Sequence, residues 1–266
     1  MINFYTLYSG SSGNSALITT DNTNILIDAG VSSAKIVTAL NEVGVSPKEI
    51  DAILITHEHT DHIQGLDVFC KKFNIPVYAN KETLSVLENA IHCVYPDRFR
   101  EIKPFESFII RDARIFPFDI SHDAIHPMGY SIMSDDTKVS FVTDMGKINE
   151  TILKIICKSE AVLIESNYDE KMLMAGFYPW NLKKRILGDK GHLSNEQAGM
   201  YLCKLIGDKT KEIILIHLSQ DTNTPELALK TINKCFCEKK INIDNIKIHC
   251  ASRYEITRGG MIKNEV

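Results

Sequence analysis

Short apolar runs of strand length, broken by turns, dominate the first part of the chain: residues 4–8, 15–20 and 23–28 read as three strands, with turn-rich joints at 9–14 and 21–22. An amphipathic helix through Val43 follows, with Ser32 or Ser33 placed to cap it. Ile53, Leu54 and Ile55 form a further strand, and Ile63, Leu66, Phe69, Cys70 and Phe73 then recur at helical spacing. Residues 75–79 predict a strand and 81–90 a helix. The middle third is richer in strands, at 107–110, 113–120, 129–133 and 138–142. Helix 148–157, strand 161–165 and a mixed stretch at 168–190 come next. A helix opens at Ser194 with a capping box to Gln197, then strand 212–216, helix 226–239, and strands near 247–249 and 254–257. Strands and helices alternating in this way predict an α/β fold, and with no repeat or low-complexity break residues 1–266 read as one domain.

Composition changes this picture little: 44% hydrophobic and 24% charged residues are those of an ordinary globular protein. A net charge of -4 argues against indiscriminate nucleic-acid binding through bulk charge and leaves room for a local basic patch. The first residues lack the basic start and apolar stretch of a secretory signal, and no later run reaches membrane-spanning length, so a cytoplasmic protein without membrane attachment is expected. The seven cysteines, Cys93 among them, are odd in number and mostly isolated, as reduced thiols are; Cys235 and Cys237 lie two apart in a helical pattern and are read as structural.

The chemistry concentrates in I-D-A-I-L-I-T-H-E-H-T-D-H, residues 50–62. A single histidine near a strand end is ordinarily structural, but His57, His59, Asp61 and His62 fall within six residues. In an extended segment His57, His59 and Asp61 point one way and can converge, while His62 comes round on the following turn, giving a binuclear metal cradle. Other strands end on Asp28, on His122 in Ser121-His122-Asp123, on Asp144 and on His217. Residues at successive strand ends collect at one sheet edge, where open α/β folds place their sites. Asp28 is suited to orient a metal-bound histidine. The Gly- and Ser-rich loop 9–14 reads either as a hairpin turn or as an anion cradle, the latter making Ser12 and Asn14 candidates for substrate binding. Trp180, Lys183, Lys184 and Arg185 bring the only tryptophan beside three positive charges, a pattern that suits phosphates and a stacked base.

Together, H-E-H-T-D-H (57–62), His122, Asp144 and His217 resemble the metallo-β-lactamase superfamily. The stretches S-G-S-S-G-N-S (9–15), L-I-D-A-G (26–30), D-I-S-H-D-A (119–124), E-S-N-Y-D (165–169), 178–196 and H-L-S-Q-D-T-N (217–223) resemble its YycJ or WalJ type. The resemblance covers nearly the whole chain and implies a four-layered αββα sandwich. It implies two divalent metal ions, one on His57, His59 and His122, the other on Asp61, His62 and His217, with Asp144 shared. Imidazole and carboxylate without thiolate suit zinc, manganese or iron. Asp144 stands where the lactamase branch often carries Cys, which disfavours a β-lactamase. His126 departs from the pattern and is read as a surface residue; were it to compete for metal, the assignment of His122 as a ligand would be in doubt.

The subgroup implies a metal-dependent DNA exonuclease with a 5'-to-3' preference, hence a nucleic-acid partner, DNA foremost. In that reading Asp61 and a water activated between two cations serve attack on phosphorus, and His192 protonates the leaving oxygen with Glu165 as its orienting carboxylate. Ser194 opens a helix whose N-terminal amides favour phosphate. Two alternatives stand beside it: a hydrolase of a small thioester or cyclic phosphodiester, and a non-catalytic metal-binding regulatory protein.

Overall fold

The computed structural model describes residues 2–90 and 96–260. Its first half runs β1 (Asn3–Tyr8), β2 (Ser15–Thr19), β3 (Asn24–Ile27), α1 (Ser33–Glu42), β4 (Ala52–Leu54), α2 (Thr60–Ile63), α3 (Leu66–Phe73), β5 (Val77–Ala79), α4 (Lys81–Ala90) and β6 (Phe99–Glu101). The second half runs β7 (Phe108–Ile110), β8 (Ala113–Asp119), β9 (Met128–Ser134), β10 (Thr137–Val142), α5 (Glu150–Ile156), β11 (Ala161–Glu165), α6 (Glu170–Ala175), α7 (Trp180–Leu187), α8 (Asn195–Leu205), β12 (Glu212–Ile216), α9 (Pro225–Glu238), β13 (Lys247–Cys250) and β14 (Thr257–Gly260).

Among the described residues the strands form two seven-stranded sheets, ordered β14-β1-β2-β3-β4-β5-β6 and β13-β12-β11-β10-β9-β8-β7. Hairpin-linked neighbours are antiparallel, whereas β3 to β6 and β10 to β13 pair in parallel and need crossover segments between strands. The period-two alternation of each strand builds the layers. In β3, Ile25 and Ile27 face the second sheet and join Leu163, Ile214 and Ile216, while Leu26 turns outward onto Ile36 and Phe69 of α1 and α3. In β12, Ile213 and Leu215 turn outward onto Ile152, Leu202 and Ile232 of α5, α8 and α9. The result is helix, sheet, sheet, helix, with three buried apolar layers; each fully buried Ile or Leu contributes about 1.5–3 kcal/mol.

Several local expectations are corrected. The last strand lies at Thr257–Gly260 instead of 254–257, and β6 appears at a sheet edge where F-R-E offers one apolar residue. The mixed stretch resolves into α6 and α7. Ser32 occupies the N-cap of α1 without a side-chain capping bond, whereas Ser194 and Gln197 of α8 form the full capping box. The other six cysteines are free thiols, and Cys93 lies outside the described residues. No helix among the described residues is long and apolar enough to cross a membrane.

Both sheets present strand C-termini to one edge. Strands β8 and β10 are parallel to each other because both run antiparallel to β9, so the ends of β8, β10, β11 and β12 open on the same side of the second sheet.

Candidate metal centre

Three site residues follow strands in the left-handed conformation: Asp28 (φ 59°) after β3, Asp144 (φ 52°) after β10 and His217 (φ 57°) after β12. That reversal swings each side chain off its strand and over the sheet edge. Asp tolerates it better than most residues, whereas for His the position is uncommon.

The H-x-H-x-D-H segment is built differently from a continuous strand. Strand β4 ends at Leu54 and the chain bends at Thr56; His59, itself extended, caps α2, so Asp61 and His62 project from the first helical turn. His57 and His59 do share a side, with ring nitrogens 3.1 Å apart. The expected alternation thus holds for two residues, and helix formation at Thr60 redirects Asp61. Neighbouring loops fix this turn through main-chain bonds: Asn14 donates to the Asp61 carbonyl (2.8 Å) and Ala29 to that of His62 (2.8 Å), while Gly30 donates to the carbonyl of Asn14 (2.8 Å). Gly30 is required there, since a Cβ would lie 1.7 Å from the Asp61 carbonyl oxygen.

The seven donors come together. Within 4.8 Å of one another lie single ligand atoms of His57, His59 and His122; of Asp61, His62 and His217; and of His57, His62 and Asp144. Asp144 links the groups, its Oδ2 2.9 Å from His62 Nε2 and its Oδ1 3.3 Å from His217 Nδ1. His217 Nε2 is buried without a hydrogen-bond partner, a nitrogen left for a ligand. Imidazoles and carboxylates, mutually close and without thiolate, fit a divalent cation.

A second tier of bonds sets the ring tautomers. The Gly191 carbonyl accepts from His122 Nδ1 at 3.0 Å, and buried Asp28 accepts from His62 Nδ1 at 2.7 Å. Asp28 also accepts from the amide and hydroxyl of Thr56, both at 2.8 Å. In each ring Nε2 is then the nitrogen turned toward the centre. Burial works against charge on His62, yet Asp144 and Asp28 outweigh it and hold the ring well above its usual pKa. Burial prevails at His57 and keeps it neutral, well below the usual range. Burial likewise opposes charge on His217, but Asp144, Asp61 and Glu165 push it up to about 10.

Glu165, fully buried at the end of β11, accepts through Oε1 from His192 Nδ1 (2.7 Å) and His217 Nδ1 (2.9 Å). Its Oε2 accepts from the amides of Met145 (2.9 Å) and Leu193 (3.2 Å). Burial would lower the pKa of His192, but the Glu165 carboxylate raises it.

A cleft of about 270 Å³ opens over the donors, lined also by His192, Arg185, Tyr178 and Asn167. The other sequence-based candidates lie in different places relative to this cleft. Ser11 lines the cleft, whereas Ser12 is exposed and accepts from Arg253 (3.5 Å). Asn14 is buried, its Nδ2 3.1 Å from His62 Nε2 and its Oδ1 accepting from the Gly10 amide (2.8 Å). Loop 9–14 is therefore a hairpin turn bracing the metal motif. Ser194 is buried, its hydroxyl accepting from the Gln197 amide as the cap of α8. Lys183 is buried too, donating to the carbonyls of Met174 (2.7 Å) and Gly176 (2.8 Å). Lys184 and Trp180 are exposed, with the Lys184 amine 5.8 Å from the indole centroid. Arg185 reaches the cleft and is paired with Asp123. His126 lies apart from the donors, between Asp119 (2.8 Å) and Glu82 (3.1 Å). Asn167 and Ser219, within the quoted E-S-N-Y-D and H-L-S stretches, were given no role, although both line the cleft.

Residues 23–218 match the beta-lactamase superfamily domain. The chain is 36% identical over 249 residues to exodeoxyribonuclease YycJ of Bacillus anthracis, covering 93% of this chain and 94% of that one. It is 40% identical over 228 residues to exodeoxyribonuclease WalJ of Streptococcus pneumoniae serotype 2, covering 85% of each. In fold it is similar to the metallo-beta-lactamase fold protein YhfI of Bacillus subtilis, with a TM-score of 0.73 and 14% identity over 97% of this chain and 99% of that one.

Proposed function

The chain belongs to the β-lactamase superfamily, as a metal-dependent hydrolase of the YycJ/WalJ type, and from that premise we propose that it is a binuclear phosphodiesterase, a DNA exonuclease working 5'-to-3'. The observation that carries the reading is the placement of His192: it lines the cleft beside the donors while buried Glu165 holds its Nδ1. A hydrolytic site needs such a group to protonate a leaving oxygen, and a metal-storing scaffold does not.

In this reading His57, His59 and His122 would hold one cation and Asp61, His62 and His217 the other, with Asp144 available to both. Bound divalent cations supply Lewis acidity and a water ionised near neutral pH. Asp28, Glu165 and the Gly191 carbonyl keep the ligand rings in register. His192, charged through its bond to Glu165, delivers its proton to the departing sugar oxygen. Arg185 and Lys184 grip phosphates along the cleft, and the face of Trp180 stacks a base.

The test is to strip the protein of metal and offer 5'- and 3'-labelled single- and double-stranded DNA with matched RNA. Manganese or zinc is then added back beside a His59→Ala control. Metal-restored DNA cleavage from 5' ends that His59→Ala abolishes is the expected result. Absence of any cleavage by a metal-loaded chain would overturn the nuclease and favour a small thioester or cyclic phosphodiester as substrate.

A further inference from the structure

The rings of His57, His59 and His122 form a nearly even triangle, with centroids 4.6, 5.1 and 5.1 Å apart. Two of these rings follow β4 of the first sheet, and the third sits in residues 120–127, the loop between β8 and β9 of the second. No strand pairing joins the two sheets among the described residues, so loops and side chains must hold the triangle closed. Glu58, the residue between His57 and His59, accepts from the Ile125 amide of that loop at 2.8 Å. The next residue, His126, is held on both sides of its ring: Nε2 lies 2.8 Å from Asp119 at the end of β8, and Nδ1 lies 3.1 Å from Glu82 of α4. An imidazole bonded to a carboxylate through each nitrogen carries both protons. Burial opposes that charge, but Asp119 and Glu82 outweigh it and raise the pKa of the ring. The His126 carbonyl accepts in turn from Asn80 Nδ2 at 2.6 Å, and Asn80 Oδ1 accepts from the Thr83 amide in the first turn of α4 at 2.9 Å.

We propose that Glu58 and His126 are positioning residues of the metal centre: they fasten the His122-bearing loop to the first sheet and so set the affinity of the His57, His59 and His122 group for its cation, leaving that of the Asp61, His62 and His217 group largely unchanged. The inference rests on the two-cation reading. The loop's other attachments, the His122 bond to the Gly191 carbonyl and the Asp123 pair with Arg185, belong to the half built on the second sheet. Without Glu58 and His126 the third ring would therefore follow that half alone. Three ligands set in place bind a cation more tightly than two set and one loose, because the entropy of ordering the third is lost on folding and not on binding. The other group is braced by different residues: Asn14 and Ala29 hold the α2 turn, Asp28 holds His62, and His217 is held by Ser9, whose Oγ accepts from its amide at 2.8 Å, and by Glu165.

The metal-stripped full chain is titrated with cobalt(II), following both the heat of binding and the visible absorbance of the bound ion. Wild-type protein should take up two ions. Glu58→Ala and His126→Ala, each checked for an unchanged fold by circular dichroism, should bind one ion as wild type does and the other about tenfold or more weaker, with a changed absorbance for that ion. Glu58→Gln keeps an acceptor for the Ile125 amide and should stay within about threefold of wild type. In a His59→Ala background, where the disturbed group is already broken, Glu58→Ala should weaken the remaining ion no further. Unchanged affinity for both ions in the two alanine variants, an equal loss at both ions, Glu58→Gln as weak as Glu58→Ala, or a further loss in the His59→Ala background would each overturn the positioning role while wild-type protein still binds two ions. A wild-type chain that takes up fewer than two ions would remove the two-cation reading, and the positioning role with it.

Discussion

One oxygen of Glu165 receives both His192 and His217, tying the proposed proton donor to a proposed metal ligand. With its pKa raised by this carboxylate despite burial, His192 keeps its proton beyond the usual histidine range. Activity that needs the proton is full below that pKa and lost as pH rises through it. Glu165→Gln preserves the shape and removes the charge, so the alkaline fall in kcat/KM on an oligonucleotide should move to lower pH, with a rate loss of about a hundredfold or more near neutrality. An unmoved alkaline limb would remove His192 from the acid role. The clustering of H-x-H-x-D-H within six residues was readable, but strand alternation accounts only for His57 and His59, while the helical turn at Thr60, fixed by neighbouring loops, places Asp61 and His62. Ser194 was legible as the cap of α8, whereas the inward bonds of Asn14 and Lys183 were not, because residue type does not say which way a polar group points: Asn14 spends its bonds on a loop and Lys183 on a helix end.

At the scale of elements, α7 separates three adjacent cations by helical rotation. Lys183 falls on the stripe of Ile186, three residues on, while Lys184 and Arg185 turn outward. That stripe was the available signal, and the charge run masked it. Lys183→Met leaves the Met174 and Gly176 carbonyls without their donor and should cost about 1–3 kcal/mol, visible as a lower denaturation midpoint. Lys184→Ala should leave stability nearly unchanged and reduce the salt dependence of DNA binding by about one phosphate contact. A stable Lys183→Met with weakened DNA binding would reverse these assignments. Elements with long apolar runs, such as β11 and β12, were legible to the residue, whereas three-residue β6 and glycine-ended β14 take their structure from the sheet edges they complete.

At the scale of the whole molecule, two sheets close on a cluster of imidazoles and carboxylates, and metal loading competes there with protons. His217 is pushed up to about 10 and His62 stands well above its usual range, so both rings are protonated at neutral pH without metal. Their contribution to metal-free stability is complete below the unfolded histidine pKa and is lost as pH rises through the folded value. Cation uptake near neutral pH should therefore release protons and tighten as pH rises, measured as binding heats that vary with the ionisation enthalpy of the buffer. Heats independent of buffer would contradict this protonation. The layered fold was legible in the alternation of strands and helices; the left-handed strand ends were not, because nothing in Asp28, Asp144 or His217 marks them as departures from the strand. Those three positions have an evolutionary consequence. Glycine would occupy each backbone conformation without strain, so selection for heat resistance alone and selection for chemistry pull the same codons in opposite directions. A lineage of this fold relieved of its metal would be expected to drift toward glycine at these strand ends.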